Sequence, residues 1–297
     1  MRKFKGLIVA TFTPMMPNHE VDYSRIPALV DYYVENKLNG IFVCGSTGEG
    51  PSLTTTERMK ALEHFALAAS GKLPIFAHVG HTSVHESKHL VSHAASLSID
   101  AISAIAPHYF PLGGAHQLTE TMAEIASGAP NLPFYYYHIP ALTGNSISLT
   151  EFLRRAEKLI PNLAGIKYTS SKFHEYLQCI EFANRKYDIL YGYDEMMINA
   201  LVAGAQGFIG STFNFAAPVY RALLEAFYQQ DLPRARECQM KSIRVVDLIT
   251  KYGGLAVQKA LMKFVGLDCG PVRLPLPSLD SATLTSLETD WRAMELP

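Results

Sequence analysis

Apolar and polar positions along the chain fall into two alternating patterns. Short runs rich in β-branched and aromatic residues occupy 6–13, 40–45, 74–80, 101–107, 132–138, 163–168, 188–193 and 207–212. Several are almost wholly apolar, as expected of parallel strands buried on both faces. They recur about every 30 residues, the length of one strand-plus-helix unit. The segments between them carry amphipathic helical patterns. Thr54-Thr55-Thr56-Glu57, Ser83-Val84-His85-Glu86 and Ser148-Leu149-Thr150-Glu151 each have the form of a capping box at a helix start. Eight such units predict an α/β fold, a closed (β/α)8 TIM barrel, although an open doubly wound sheet fits the same alternation.

The alternation stops after the eighth run. Residues 216–230 read as the last barrel helix. Residues 231–251 read as a further helix with no strand before it, and 270–277 as an extended interruption. The expected organisation is therefore a catalytic barrel over 1–230 and a small C-terminal helical appendage over 231–297. The first residues, Met1 to Ala10, carry an apolar run too short for a signal peptide and without a small-residue cleavage site. They are better read as leading into the first strand.

Composition narrows the function. The 297 residues are 48% hydrophobic and 18% charged, with 26 basic against 27 acidic side chains and a formal net charge of −1. That balance offers no footprint for nucleic acid and none for an anionic membrane. No apolar stretch approaches the roughly 20 residues of a spanning helix. The four cysteines, Cys44, Cys179, Cys238 and Cys269, are scattered without a CxxC pair. This spacing suits a reducing, cytoplasmic compartment.

In a barrel of this kind the chemistry sits at the carboxyl ends of the strands. Those ends carry Gly45-Ser46-Thr47-Gly48-Glu49-Gly50, His108-Tyr109-Phe110, Tyr135-Tyr136-Tyr137-His138, Lys167 with Thr169-Ser170, Gly192-Tyr193-Asp194-Glu195 and Gly210-Ser211-Thr212. Lys167 stands in an otherwise apolar strand. Burial would favour its neutral, nucleophilic amine; a lysine snorkelling to solvent from a strand end is the plainer alternative. Tyr137 and Tyr109 could move protons or simply pack. Ser46 and Thr47, in a glycine-bounded turn, could cradle a carboxylate or merely join a strand to a helix. The turn lacks the Lys-Ser/Thr end of a nucleotide P-loop. Asp194 and Glu195 could bind hydroxyls or cap the following helix. His85-Glu86-Ser87-Lys88-His89 matches the HExxH zinc pattern, but Glu86 is accounted for by its capping box. Ser92 and Ala95 also stand where an extended motif would need glycine and histidine, so no metal is expected.

Taken together, the landmarks Gly45-Ser46-Thr47-Gly48-Glu49, Tyr136-Tyr137-His138-Ile139-Pro140 and Gly165-Ile166-Lys167-Tyr168-Thr169 resemble the N-acetylneuraminate lyase and dihydrodipicolinate synthase superfamily. The resemblance runs from Thr11-Phe12-Thr13-Pro14 to Gly270-Pro271-Val272-Arg273-Leu274-Pro275. It favours the lyase branch on three grounds. Ala141 lies where the synthase branch has an arginine shortly after the tyrosine. Gly192-Tyr193-Asp194-Glu195 resembles the lyase contact to the sugar-acid hydroxyl tail, and Gly210-Ser211-Thr212 resembles its strand-eight contact. His138 departs from the asparagine common in that branch.

The resemblance implies a Schiff-base aldolase that cleaves a sialic acid to pyruvate and N-acetylmannosamine without metal or organic cofactor. Lys167, Tyr137, Ser46 and Tyr109 would be its catalytic set: Lys167 forms the imine, Tyr137 moves the proton, and Tyr109 reaches a neighbouring subunit's site. Ser46 with Thr47 would hold the pyruvyl carboxylate. Thr169, Gly192, Asp194, Glu195 and Ser211 would bind the polyhydroxyl part, with Tyr252 approaching the same region. A homotetramer is implied as well. Other pyruvate aldolases acting on 2-keto-3-deoxy acids, and a non-catalytic sugar-acid binder on the same fold, are the competing readings.

Overall fold

A computed structural model describes residues 3–296 and places a strand within each of the eight predicted runs. They are β1 (Gly6–Ala10), β2 (Gly40–Val43), β3 (Ile75–His78), β4 (Ala101–Ile105), β5 (Phe134–His138), β6 (Leu163–Tyr168), β7 (Asp188–Tyr191) and β8 (Gly207–Gly210). All neighbours pair in parallel, and β1 pairs with both β2 and β8. The sheet is thus a closed barrel in chain order, and the doubly wound alternative falls away. Most strands stop short of their apolar runs, because the residues beyond the last pairing form the loops of the carboxyl rim.

The helices between strands are α1 (Ile26–Glu35), α2 (Thr55–Ala69), α3 (Val84–Ala95), α4 (Ala115–Ala126), the short α5 (Pro140–Thr143), α6 (Leu149–Leu159), α7 (Phe173–Glu181), α8 (Met197–Val202) and α9 (Phe213–Tyr228). Of the three expected capping boxes, only that of Thr54 and Glu57 closes in both directions. Ser83 and Ser148 each accept the backbone N–H three residues on. Their glutamates are drawn elsewhere: Glu86 accepts from Thr55 Oγ1 at 2.6 Å and Glu151 from Arg155 at 3.1 Å. Glu86 thus leaves its local partner for a donor on α2, and Glu151 for one a helical turn along its own helix. The helix predicted from 216 begins at Phe213 and runs through a kink at Ala216, next to Pro218.

Two apolar layers result from the alternation along the strands. Ile8, Ala10, Phe42, Phe76, Tyr135, Tyr137, Leu190 and Ile209 fill the barrel interior. Leu7, Val9, Ile41, Val43, Phe134, Tyr136, Ile166 and Tyr168 face the helices. The register is interrupted between β5 and β6. Phe134 pairs with Leu163, but Tyr135 pairs with Gly165, so Ala164 is an extra residue in β6. A one-residue bulge inverts the facing of everything after it.

Three further helices follow the barrel: α10 (Leu232–Tyr252), α11 (Leu255–Phe264) and α12 (Ser281–Ala293). Helix α10 lies along α9, and α12 packs on α10 and α11. Trp291 of α12 meets Phe215 of α9 edge-on, with ring centroids 5.9 Å apart. The segment 265–280 forms neither helix nor strand. No helix among the described residues is long and apolar enough to cross a membrane.

Candidate active site

At the carboxyl rim, Ser46, Thr47, Tyr137, Lys167, Thr169, Gly192, Asp194, Glu195 and Ser211 line one cavity of about 220 Å³. They come from the ends of five strands separated by up to 165 positions, so the closed sheet alone brings them together.

Lys167 is 4% exposed. Its Nζ lies 4.0 Å from the ring centroid of Tyr137 and 4.2 Å from that of Phe42. Burial pulls its pKa down to about 7, and the carboxylate of Asp194 works in the opposite direction. An appreciable share of the side chain is therefore a free amine at neutral pH. The snorkelling alternative does not describe it. The same burial pushes the Tyr137 hydroxyl up to about 12, with the Ser46 hydroxyl offsetting part of the rise. Tyr137 is a neutral donor facing a partly neutral lysine.

Beside them, the buried Thr169 hydroxyl offsets part of that rise as well, although it makes no hydrogen bond of ordinary geometry. Gly192 is what makes room for it, since a Cβ there would come within 2.0 Å of Thr169 Oγ1. A sealed hydroxyl held by no well-formed bond in a polar cavity can take a ligand. Asp194 is held differently. Its Oδ2 accepts from the Thr212 backbone at 2.9 Å and from Thr212 Oγ1 at 2.6 Å. Thr212 Oγ1 also meets Tyr220 Oη at 2.5 Å, and Tyr220 meets Ser242 Oγ at 2.9 Å. Ser242 and Gln239 of α10 both donate to the Asp194 carbonyl. The carboxylate is thus held at the start of α9, with α10 on its backbone, and does not cap the helix that follows it. Burial raises its pKa, and so does burial at Glu195.

Three further residues lie outside this cavity, and for Tyr252 that differs from the expectation. Tyr109 is 77% exposed and outside the cavity, stacked edge-on against the equally exposed Phe110. Tyr252 does not reach the cavity, because its hydroxyl donates to Asp290 Oδ2 at 2.8 Å. His138 faces away from Tyr137 into the helix layer, between Tyr136 and Tyr168. There burial lowers its pKa to about 4. The change from asparagine therefore lies off the reacting face. On α3, the two histidines of the HExxH pattern, His85 and His89, are exposed, and His93 pairs with Glu63 at 2.8 Å.

The cavity also takes Tyr193, Val246, Ile249 and Gln258, which the sequence did not single out. Val246 and Ile249 are ordinary core-type positions of α10. Gln258 is a lone amide on α11 whose side chain has no hydrogen bond, with Oε1 sealed from solvent. Nothing local to these residues signals a site; only the packing of the C-terminal helices over the barrel mouth does. A larger cavity, about 360 Å³, lies beside α11 and the segment after it. Its charges are already matched, Arg25 to Asp22 and Lys263 to Asp268.

Comparison with known proteins agrees with this geometry. The profile of the Dihydrodipicolinate synthetase family matches residues 3–294. The chain belongs to the dihydrodipicolinate synthetase family. Among its relatives in that family, it is 40% identical to the N-acetylneuraminate lyase of Rattus norvegicus over 298 residues, 99% of this chain and 93% of the relative. It is 38% identical to the N-acetylneuraminate lyase of Mus musculus over 299 residues, with the same coverage. The solved structure of Proteus mirabilis N-acetylneuraminate lyase superposes with a TM-score of 0.97 at 35% identity, covering the whole of both chains. The family resemblance carried by the three sequence landmarks is thus upheld, and so is its lean toward the lyase branch.

Proposed function

We propose that this family member is an N-acetylneuraminate lyase, a class I aldolase that releases pyruvate and N-acetylmannosamine. The observation that carries the reading is Lys167: a buried amine with a pKa near 7, in a polar cavity, next to a tyrosine. The near end-to-end similarity to lyases of that name supports the substrate.

In this reading Lys167 Nζ attacks the C2 ketone of the open-chain acid and water leaves, giving a protonated imine. The C4 hydroxyl gives up its proton, the C3–C4 bond breaks, and its electron pair enters the imine as an enamine. The C4 aldehyde departs as N-acetylmannosamine. Tyr137, against the reacting nitrogen, passes the proton from the C4 oxygen to C3, and water then hydrolyses the imine to pyruvate. Ser46 and Thr47 hold the carboxylate of the acid. Thr169, Asp194, Glu195 and Ser211 take its hydroxyls, and the backbone at Gly192 lies against them.

We also infer a cytoplasmic homotetramer. Four free, buried cysteines suit a reducing compartment. The exposed pair Tyr109 and Phe110 suits a contact with a second copy, through which Tyr109 would approach the partner's site.

The test is pyruvate release from N-acetylneuraminate, read through lactate dehydrogenase, beside the same assay with 2-keto-3-deoxygluconate. Release from the sialic acid is expected. Turnover of the shorter acid alone would keep the Schiff base and overturn the substrate. Borohydride reduction with pyruvate should leave an adduct on Lys167; its absence would leave a binder rather than an enzyme.

A further inference from the structure

Behind Ser46 and Thr47 lies a buried ion pair that the reaction does not use. Glu49 closes the turn in a left-handed conformation, with φ of 54°. Its side chain is fully buried, and that of Lys259 on α11 is 1% exposed. Glu49 Oε1 accepts from Lys259 Nζ at 2.7 Å, and Oε2 accepts from the Arg273 backbone N–H at 2.8 Å. Lys259 Nζ also donates to the Pro271 carbonyl at 2.7 Å. The Arg273 guanidinium reaches Glu57 at the start of α2 and the Ser52 carbonyl. The turn itself is drawn tight, with Glu49 N–H on the Ser46 carbonyl at 3.1 Å and Thr13 Oγ1 on the Gly48 carbonyl at 2.7 Å.

A buried ion pair gives little net stability over an apolar pair of the same volume, but it fixes geometry and leaves a costly orphan when one partner is lost. Here both carboxylate oxygens of Glu49 are claimed by the C-terminal region. The strap therefore ties α11 and the segment 270–273 to the back of the two hydroxyl residues at the cavity. One residue before Lys259 on the same helix, Gln258 lines that cavity.

The geometry points to Lys259 as a positioning residue: through Glu49 it holds the Ser46–Thr47 turn in the shape that receives the carboxylate of the 2-keto acid. The inference rests on the reading of that turn as the carboxylate cradle. A carboxylate contact is made equally in the ground state and the transition state, so loosening it raises KM and leaves kcat alone. A purely structural role would instead reduce the folded fraction, lowering apparent kcat at constant KM.

The experiment measures steady-state kinetics and borohydride trapping with pyruvate for the full-length protein, K259M and E49Q. In the folded variants KM, and the pyruvate concentration for half-maximal trapping, should rise about tenfold or more while kcat changes less than about threefold. An unchanged KM in a folded variant overturns the proposal. Glu49→Gln keeps a hydrogen-bonding partner for Lys259 and is the milder change should Lys259→Met fail to fold. The wild-type protein supplies an independent reading by amide hydrogen exchange. Saturating pyruvate should slow exchange in 256–262 of α11, and no change there overturns the linkage. If wild-type protein traps no pyruvate at all, it is the aldolase reading that fails.

Discussion

Tyr137 and Lys167 are register partners across β5 and β6, and Lys167 Nζ sits 4.0 Å from the centre of the Tyr137 ring. That partnership depends on the bulge at Ala164. Counted without it from Leu163, which faces the helices, Lys167 would face the helices as well. One added residue turns it into the barrel, where its ammonium is disfavoured and its amine can react.

Lys167 should therefore cost stability as well as supply reactivity. Its folded pKa of about 7 lies below its ordinary value of 10.5, so the unfolded chain binds the proton more tightly. The destabilisation is complete below pH 7 and fades as pH rises toward 10. Lys167→Met should abolish turnover and raise Tm. The Tm difference from wild type should be largest at pH 6 and smallest near pH 10, measured by thermal melts across that range. A variant less stable than wild type at pH 6 would contradict the assigned burial penalty.

The neighbouring carboxylate tunes the same group. Asp194 raises the Lys167 pKa, so Asp194→Asn should let it fall further. The acidic limb of kcat/KM, set near pH 7 by the free amine in the unliganded enzyme, should move to lower pH in this variant. KM for the sugar acid should rise about tenfold or more, because a positioned acceptor of substrate hydroxyls is weakened. A limb that stays put or moves upward would mean that Asp194 does not act on Lys167.

Tyr137 tests the proton path. With its pKa near 12 it is a neutral hydroxyl throughout the working range. Tyr137→Phe keeps the ring beside Nζ and removes only the hydroxyl. It should lower kcat by about a hundredfold or more, the scale of general acid–base assistance, with a smaller change in KM. An unchanged kcat would reduce Tyr137 to packing.

Much of this was legible in the chain because strand ends in a barrel are also site positions. Ser46, Asp194 and Ser211 each follow the apolar core of a strand, Lys167 stands near the end of one, and the fold converts those sequence positions into places on one rim. What stayed hidden depends on tertiary partners. The glutamate of one capping motif, Glu86, left for a donor on another helix. Tyr252 turned to Asp290, and Gln258 entered the cavity only through the docking of α11. None of these has a period or a neighbour in sequence that betrays it. The bulge in β6 belongs to the same class, since a strand's own pattern does not record where its partner skips a residue.

Gly165 is the residue that permits the bulge, and it gives the sharpest test of the geometry. It follows the extra residue, pairs with Tyr135 on one side and Asp188 on the other, and has no room for a side chain. A Cβ there would lie 1.8 Å from the Asp188 carbonyl oxygen and 2.9 Å from Tyr135 Cε1. The first of these is backbone and cannot rotate away, so the β6–β7 ladder must part or the bulge must move. Either displaces Lys167, two residues on. Gly165→Ala should lower stability by about 1–3 kcal/mol, the usual cost of overpacking a core. It should also reduce kcat/KM by about a hundredfold, the scale expected when a reacting group moves by an ångström. Urea melts and steady-state kinetics would be read together. Wild-type activity in Gly165→Ala would mean that Lys167 does not owe its place in the barrel to this register.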